Sequence, residues 1–223
     1  MFSASGNFLQ IGRGTVDDEV VMIDGNVKNF PTKTTGSSNL TCREVTADEN
    51  SVTIAGGLLL DQEHDCPLHK EFSLTFSAKD DNSLAFEATI PGAYNDAMNS
   101  NYMAMNFDSA LDEEIYGMGL QYTVWDFKGH QVPLISDEAG VGRGVQPITE
   151  VMNLTQGGQG GSETTSYAPA ATFITNKQRG MIFDQETAGI ADFEQLDMIS
   201  MLYWHEETIS GTILWGKDPL QLS

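Results

Sequence analysis

A glycine-rich loop that carries one arginine is the part of the sequence best suited to polar contact with a ligand. Residues 139–143 read Ala-Gly-Val-Gly-Arg, and Asp137 and Glu138 come directly before them. Closely spaced glycines suit a backbone that needs positive φ angles or passes close to another group. Because binding residues are often carried on loops held by a rigid scaffold, we expect this loop to present Arg143 at the end of a sheet.

Neighbouring carboxylates could hydrolyse a glycosidic bond, which in retaining enzymes needs two acidic groups roughly 5 Å apart. The acidic neighbours in the sequence include Asp112-Glu113-Glu114, Asp137-Glu138 and Glu206-Glu207. With 32 acidic residues in 223, such neighbours are expected from composition alone. Adjacent residues of a strand also point to opposite faces, so we assign no catalytic residue from these pairs.

The histidines form no recognisable metal site. His64 and His69 are the close pair, and the residues between them include a single cysteine, Cys66. This spacing matches no zinc signature. Nucleophile-elbow, phosphate-loop and dinucleotide motifs are also absent, because the run at 140–144 lacks the required spacing and a following helix. The sequence therefore predicts neither a metal ion nor a cofactor.

The three tryptophans, Trp125, Trp204 and Trp215, allow two interpretations. They could form a stacking platform for sugar rings, or they could be core and edge residues of a β-sandwich. The sequence favours the second interpretation without excluding the first.

The chain is strongly acidic, with 11 basic against 32 acidic residues and a net charge of −21. Such a charge repels phosphate backbones and anionic lipid surfaces, so neither nucleic acid nor a membrane is predicted as a partner. No signal peptide or membrane-spanning run is visible. We predict a cytoplasmic protein, or a secreted one if a leader precedes Met1. Whether Cys42 and Cys66 form a disulfide is left open.

Short extended segments separated by turn residues run along the chain. Alternating apolar residues predict a hairpin of two strands. On the first strand Phe72, Leu74 and Phe76 share one face, and on the second strand Leu84, Phe86, Ala88 and Ile90 share one face. Later strands are expected at 103–107, 132–135, 171–175, 180–183, 198–204 and 208–215. A flexible connection is expected at 156–161, and sustained helical periodicity is absent. Many short strands without alternating helices indicate one antiparallel β-sandwich domain, residues 1–223.

The segment from residue 115 to residue 143 resembles the N-terminal region of glycoside hydrolase family 31, in the branch of sulfoquinovosidases and related α-glycosidases. The matching motifs are Tyr116-Gly117-Met118-Gly119, Gln121-Tyr122, Asp126 to Gly129, Pro133, and Glu138 to Arg143. Segments 169–175 and 180–183 resemble the strand pair that follows in the family. The sequence differs at Leu120, Ile135 and Ala139, where the family usually has an acidic residue, Trp and Gln.

The resemblance implies a galactose-mutarotase-like β-sandwich and the hydrolysis of α-glycosides with retention. In this family the two catalytic Asp residues lie in a (β/α)₈ barrel that follows a strand like residues 213–219. The resemblance therefore implies a domain without catalytic residues that shapes the entrance to the sugar site of its own barrel, if the natural chain continues. The implied substrate-binding residues are Gln121, Glu138, Gly140 and Arg143. Without the barrel, apolar surface is expected to be exposed at Ile213, Leu214 and Trp215.

Two alternatives remain beside this interpretation. The chain could be a stand-alone carbohydrate-binding protein, or a vestigial sandwich that has lost catalysis. It could also be a mutarotase-like enzyme, which needs a His and a Glu facing each other on a concave sheet. None of the four histidines lies at an obvious position for that role.

Overall fold

The fold is built almost entirely from β-strands. The computed structural model describes residues 8–15, 22–23, 26–27, 32–37, 39–60, 68–94 and 100–217. Within these ranges the elements are, in chain order, β1 (Leu9–Thr15), β2 (Met22–Ile23), β3 (Asn26–Val27), β4 (Thr32–Ser37), β5 (Asn39–Ala47), β6 (Ser51–Leu60), β7 (Leu68–Asp80), β8 (Ser83–Thr89), β9 (Tyr102–Asp108), β10 (Ile115–Gly119), β11 (Gln131–Leu134), α1 (Ile148–Thr155), β12 (Pro169–Thr175), β13 (Arg179–Phe183), β14 (Gly189–Asp192), β15 (Met198–Trp204) and β16 (Thr208–Trp215).

Two large sheets make up the architecture. One has the strand order β11-β14-β15-β9-β1-β4 and the other the order β10-β12-β13-β16-β8-β7-β6-β5. Neighbouring strands in both are antiparallel. The antiparallel all-β sandwich predicted from the sequence is therefore confirmed. The assignment of residues 1–223 to a single domain stays a prediction.

The sheets pack face to face around a hydrophobic core. Met105 and Met201 of the six-stranded sheet are buried in one cluster with Phe86 of the eight-stranded sheet. The ring of Phe183, on β13, packs against Phe107, on β9, with 6.3 Å between the ring centroids. Burial of each such side chain contributes about 1.5–3 kcal/mol, so this shared core holds the two sheets together.

The hairpin predicted from alternating apolar residues is confirmed. β7 pairs with β8 so that Leu74 lies opposite Ala88 and Phe76 lies opposite Phe86. Leu74, Phe86 and Ala88 are buried, and Phe76 is half-buried against the same core. The period-two pattern in the sequence therefore reports the buried face of this pair.

Among the elements that were not predicted individually from the sequence are β14 and the helix α1. β14 has four residues, Gly-Ile-Ala-Asp, too few to show alternation. Helix α1 has eight residues, about two turns, and carries no side-chain N-cap. A helix does therefore follow the glycine loop, and that part of the argument against a dinucleotide motif was wrong, although the spacing still does not match. α1 is too short to cross a bilayer, and no membrane-spanning helix is found in the described part of the chain.

The apolar surface expected at Ile213, Leu214 and Trp215 is smaller than predicted. Ile213 and Leu214 are half-buried, and Ile213 packs against the core. Only Trp215, at the end of β16, is exposed among the three, by 42%. The expectation was wrong for the first two because β16 is a central strand between β13 and β8.

His64 and Cys66 lie outside the described residues, so the structure does not test a disulfide with Cys42. Cys42 is exposed on β5, and His69 is exposed on β7. No group of three or more possible metal ligands occurs within the described ranges.

Glu113 is a buried carboxylate that joins the β9–β10 connection to the eight-stranded sheet. It is 2% exposed, and Arg179, the first residue of β13, donates from Nε to Oε1 at 2.8 Å and from Nη2 to Oε2 at 2.7 Å. Ser109 Oγ donates to the same Oε2 at 3.0 Å. Burial alone would raise the pKa of Glu113, but hydrogen bonds from Arg179 and its positive charge outweigh burial and lower the pKa to about 2. Glu113 is therefore ionised at neutral pH.

Candidate functional site

Three connecting segments meet at one end of the sandwich: residues 120–130, 135–147 and 156–168. Leu120 N donates to Ala168 O at 2.9 Å, and Asp137 N donates to Ser166 O at 2.9 Å. The glycine loop is tied to the third segment because Gly140 N donates to Gln159 O at 2.9 Å. These backbone hydrogen bonds hold the predicted site loop in one position relative to the sheet ends.

The end of β10 directs the chain into this site. Gly117, Met118 and Gly119 have φ angles of 122°, 61° and 81°, a run that L-residues other than glycine adopt at a cost. The pairing of β10 with β12 shifts register between Gly117 and Gly119. A Cβ at Gly119 would lie 2.3 Å from Ala168 O, so the close approach requires glycine. The motif therefore places the next residues beside segment 156–168.

Arg143 is the centre of the cluster formed at this end. Its guanidinium carbon lies 4.5 Å from the ring centroid of Tyr122 and 5.6 Å from that of Tyr167. The two rings meet edge to face with 5.7 Å between centroids. Arg143 Nη1 also donates to Thr165 O. We call Arg143, Tyr122 and Tyr167 the arginine cluster; cation–π contacts of this kind contribute about 0.5–2 kcal/mol each.

Glycine is required at position 140 by this arrangement. A Cβ there would lie 2.7 Å from Arg143 Nη2, so a larger residue would displace the guanidinium. Arg143 itself has a φ of 45°, a left-handed conformation that is strained for a non-glycine residue. Strain of this kind is commonly kept where a side chain must be aimed. The structure thus brings together two of the four residues named from the sequence.

Gln121 and Glu138, the other two residues named from the sequence, are not members of the arginine cluster. Gln121 Nε2 donates to Met118 O at 3.1 Å, and its Oε1 is buried without a hydrogen-bond partner among the described residues. Glu138 is exposed and makes no ion pair within the described ranges. Asp137 is buried and its Oδ1 accepts from Ala139 N at 3.1 Å. The two acidic neighbours therefore have different environments, although they lie on a connecting segment and not on a strand.

The sequence argument did not assign Tyr167. It lies 45 positions after Tyr122, and only the pairing of β10 with β12 brings the two rings together. Tyr167 could have been found as one of two aromatic residues that flank the ends of paired strands. Recognising such a pair requires knowledge of the strand order.

Three of the acidic neighbours named from the sequence, Asp112, Glu113 and Glu206, are engaged in other contacts. Glu113 is paired with Arg179 and its pKa is lowered to about 2, the opposite of what a general acid needs. Asp112 pairs with Lys177 Nζ at 2.7 Å on the surface. Glu206 accepts from Thr187 Oγ1 at 2.9 Å.

A His–Glu pair does occur, although no histidine position suggested one. His130 Nδ1 lies 2.9 Å from Glu163 Oε1. Both residues lie on connecting segments and are partly exposed, whereas the mutarotase-like arrangement requires residues facing each other on a sheet.

The tryptophans do not form a shared sugar platform. Trp204 is buried on the outer face of the six-stranded sheet with Tyr102. Trp125 is 83% exposed and meets Tyr116 edge to face, with 6.5 Å between ring centroids. Of the three, only Trp125 lies on segment 120–130, which reaches the arginine cluster.

Comparison with known proteins identifies relatives among family 31 glycosidases. No family model matches the chain. A sulfoquinovosidase from Escherichia coli (strain K12) is 25% identical over 135 residues, which is 60% of this chain and 19% of that protein. A solved family 31 sulfoquinovosidase from E. rectale, in complex with an aza-sugar inhibitor, superposes with a TM-score of 0.77 at 19% identity. A family 31 dextranase from Flavobacterium johnsoniae covers 81% of this chain with a TM-score of 0.48 at 12% identity.

These findings confirm the resemblance to the N-terminal β-sandwich region of glycoside hydrolase family 31. The E. rectale structure covers 99% of this chain, whereas this chain covers 30% of that one. The chain thus spans about a fifth of the curated relative and under a third of the solved one.

Proposed function

We propose that this chain is the N-terminal domain of a retaining α-glycosidase and that the arginine cluster borders the sugar site of a catalytic barrel. The observation that carries this proposal is the position of Arg143. It lies at a sandwich end built from three ordered segments, where a cation and exposed aromatic rings face outward together. The likeness in fold to a family 31 sulfoquinovosidase supports the same role.

Helix α1 supplies the apolar surface that such a barrel would cover. Ile148, Val151 and Leu154 recur every three residues and are all exposed, Leu154 by 78%. Val145, just before the helix, is exposed as well. Contiguous exposed apolar residues commonly mark a protein contact. We propose that the barrel packs against this face of α1, which follows the glycine loop directly.

The arginine cluster would bind substrate without supplying a reacting carboxylate. Arg143 is held by two rings and by Thr165 O, so little freedom is lost when it donates hydrogen bonds to a ligand. A guanidinium suits hydroxyl groups and, more strongly, an anionic group such as a sulfonate. Glu138, exposed on the same connecting segment, would accept hydrogen bonds from sugar hydroxyls. An α-glucoside or an α-sulfoquinovoside therefore fits the site.

A stand-alone carbohydrate-binding protein is the second candidate. The exposed rings of Tyr122, Tyr167 and Trp125 favour it, since aromatic faces can stack on sugar rings without a barrel. The coding sequence downstream of Ser223 distinguishes the two candidates. A reading frame that continues into a barrel with two catalytic Asp residues supports the first, and a stop codon there supports the second.

The 223-residue chain alone is expected to show no glycosidase activity. Retaining hydrolysis needs two carboxyl groups roughly 5 Å apart, one with a raised pKa, and the pairs formed by Asp112, Glu113 and Glu206 do not provide this. The measurement is release of the aryl group from aryl α-glucosides and aryl α-sulfoquinovosides by the purified chain. Turnover that disappears in Glu138→Gln would contradict the proposal, because the loop would then hold a catalytic carboxylate.

In a protein that joins this chain to its barrel, Arg143→Met is expected to raise KM for an aryl α-glycoside about tenfold with little change in kcat. A contact made equally with substrate and transition state affects KM rather than kcat, and a charge-assisted hydrogen bond is worth about 1.5–3 kcal/mol. Arg43→Met is the matched control, because Arg43 is exposed on β5, at the opposite edge of the eight-stranded sheet. Equal KM values for the two variants would argue against a substrate contact at Arg143.

A further inference from the structure

A second cavity lies at the margin of the sandwich, beside the start of segment 135–147, and none of the three residues of the arginine cluster lines it. Leu134 at the end of β11 and Tyr203 on β15 line it from one sheet, and Pro169 at the start of β12 lines it from the other. The connection between β13 and β14 closes it through residues 185–188. Its volume is about 370 Å³, which is within the range of small-molecule sites.

Two residues that line this cavity carry buried polar atoms without partners among the described residues. The hydroxyl of Tyr203 is buried and unpaired, on a side chain that is 1% exposed. Gln185 Oε1 is also buried and unpaired, although Gln185 Nε2 donates to Thr208 O at 3.2 Å. A buried polar group without a partner costs about 1–3 kcal/mol. Two such atoms lining one cavity indicate that a hydrogen-bonding molecule completes them.

The chemistry of the lining narrows the class of ligand. Burial raises the pKa of Tyr203, and the charge of nearby Asp184 raises it further, so the hydroxyl stays protonated and can donate or accept. Gln185 Oε1 can only accept. A ligand that carries two hydroxyl groups satisfies both atoms, because each hydroxyl can donate and accept. Glu186, which also lines the cavity, disfavours an anion.

We propose that this cavity is a binding site for a neutral polyol of monosaccharide size, separate from the arginine cluster. One hydroxyl would pair with Tyr203 Oη and another would donate to Gln185 Oε1. The carbon skeleton would rest on Leu134, Pro169 and Ala188. Such a site would bind sugar without a barrel, so it can be tested independently of the function proposed above.

The test is a titration of the ¹⁵N-labelled chain with D-glucose and myo-inositol, followed by NMR at the amides of residues 185–188. Saturable shifts at these positions are expected. Tyr203→Phe keeps the ring and removes the hydroxyl, and it should weaken binding about tenfold. Gln185→Met provides a second variant, with the same expected direction, should the first fold poorly. Ser83→Ala is the control, since it also removes a buried hydroxyl but Ser83 does not line this cavity.

D-glucuronate, an anionic sugar, tests whether Glu186 makes the cavity disfavour an anion. It should bind more weakly than glucose to the natural chain, and Glu186→Gln should reduce that difference. The proposal is overturned if no saturable shifts occur, if Tyr203→Phe and Gln185→Met both bind as the natural chain does, or if glucuronate binds as tightly as glucose. The first of these results would mean that the cavity holds water only.

Discussion

Replacing Arg179 by methionine is expected to destabilise the chain by about 3–5 kcal/mol at neutral pH. The substitution keeps an apolar stem of similar length but leaves the carboxylate of Glu113 buried and without its cation. Arg179 makes two hydrogen bonds to Glu113 and one to Asp108 O at 2.6 Å. Urea unfolding followed by circular dichroism measures the difference.

The effect should depend on pH in a defined direction. The pKa of Glu113 is lowered from 4.5 to about 2, so the folded state holds the proton less tightly than the unfolded chain. The stability that this gives is complete above about pH 4.5 and is lost as the pH falls toward 2. A change of one in pKa corresponds to about 1.4 kcal/mol. The stability that ionised Glu113 contributes is therefore roughly 3 kcal/mol. The difference between the natural chain and Arg179→Met should therefore shrink in acid.

Lys177→Met is the matched control for this prediction. Lys177 pairs with Asp112 at 2.7 Å in the same region, but Asp112 is largely exposed. Surface pairs of this kind contribute little to stability, so this variant should be near the natural stability. Comparable losses in both variants would contradict a special role for the buried pair. The double variant Glu113→Gln with Arg179→Met should recover part of the loss, since no unpaired charge remains.

Sequence reasoning succeeded where a local pattern determines burial. Leu74, Phe86 and Ala88 alternate with more exposed residues, and their strands pair as the alternation predicts. It failed at β14. Gly189, Ile190 and Ala191 are consecutive and all buried, so this four-residue strand shows no alternation of polar and apolar residues. α1 was missed for another reason. Three of its four apolar residues, Ile148, Val151 and Leu154, are exposed, so they do not mark a buried face.

The candidate site likewise has one part that a local sequence pattern predicts and another part that it does not. Gly140 and Arg143 are close in the sequence, and their contact follows from one glycine-rich loop. Tyr167 joins them only through strand pairing between distant segments, which no local pattern contains. The cavity at Tyr203 was equally inaccessible, since its lining comes from both sheets. Local chemistry can thus be predicted from a motif, whereas the partners that complete a site depend on the topology.

The pairing of β10 with β12 is what positions the arginine cluster, and Gly119→Ala should disrupt it. The new Cβ would lie 2.3 Å from Ala168 O and 2.5 Å from Ala170 N. Both are backbone atoms, so relief requires the strands to separate. The hydrogen bond from Leu120 N to Ala168 O would be strained with them. Since Tyr122 follows β10 and Tyr167 precedes β12, we expect the rings to move apart and release Arg143.

Gly129→Ala separates this crowding from the cost of the backbone conformation itself. Gly119 and Gly129 have φ angles of 81° and 84°, so alanine should cost about 1–2 kcal/mol at either position for conformation alone. A Cβ at Gly129 meets nothing within 4 Å. Overpacking adds about 1–3 kcal/mol, so Gly119→Ala should lose roughly 2–5 kcal/mol in urea unfolding and should change the near-ultraviolet circular dichroism of the tyrosines. If the two variants lose equal stability and leave that signal unchanged, the β10 bulge does not hold the arginine cluster in place.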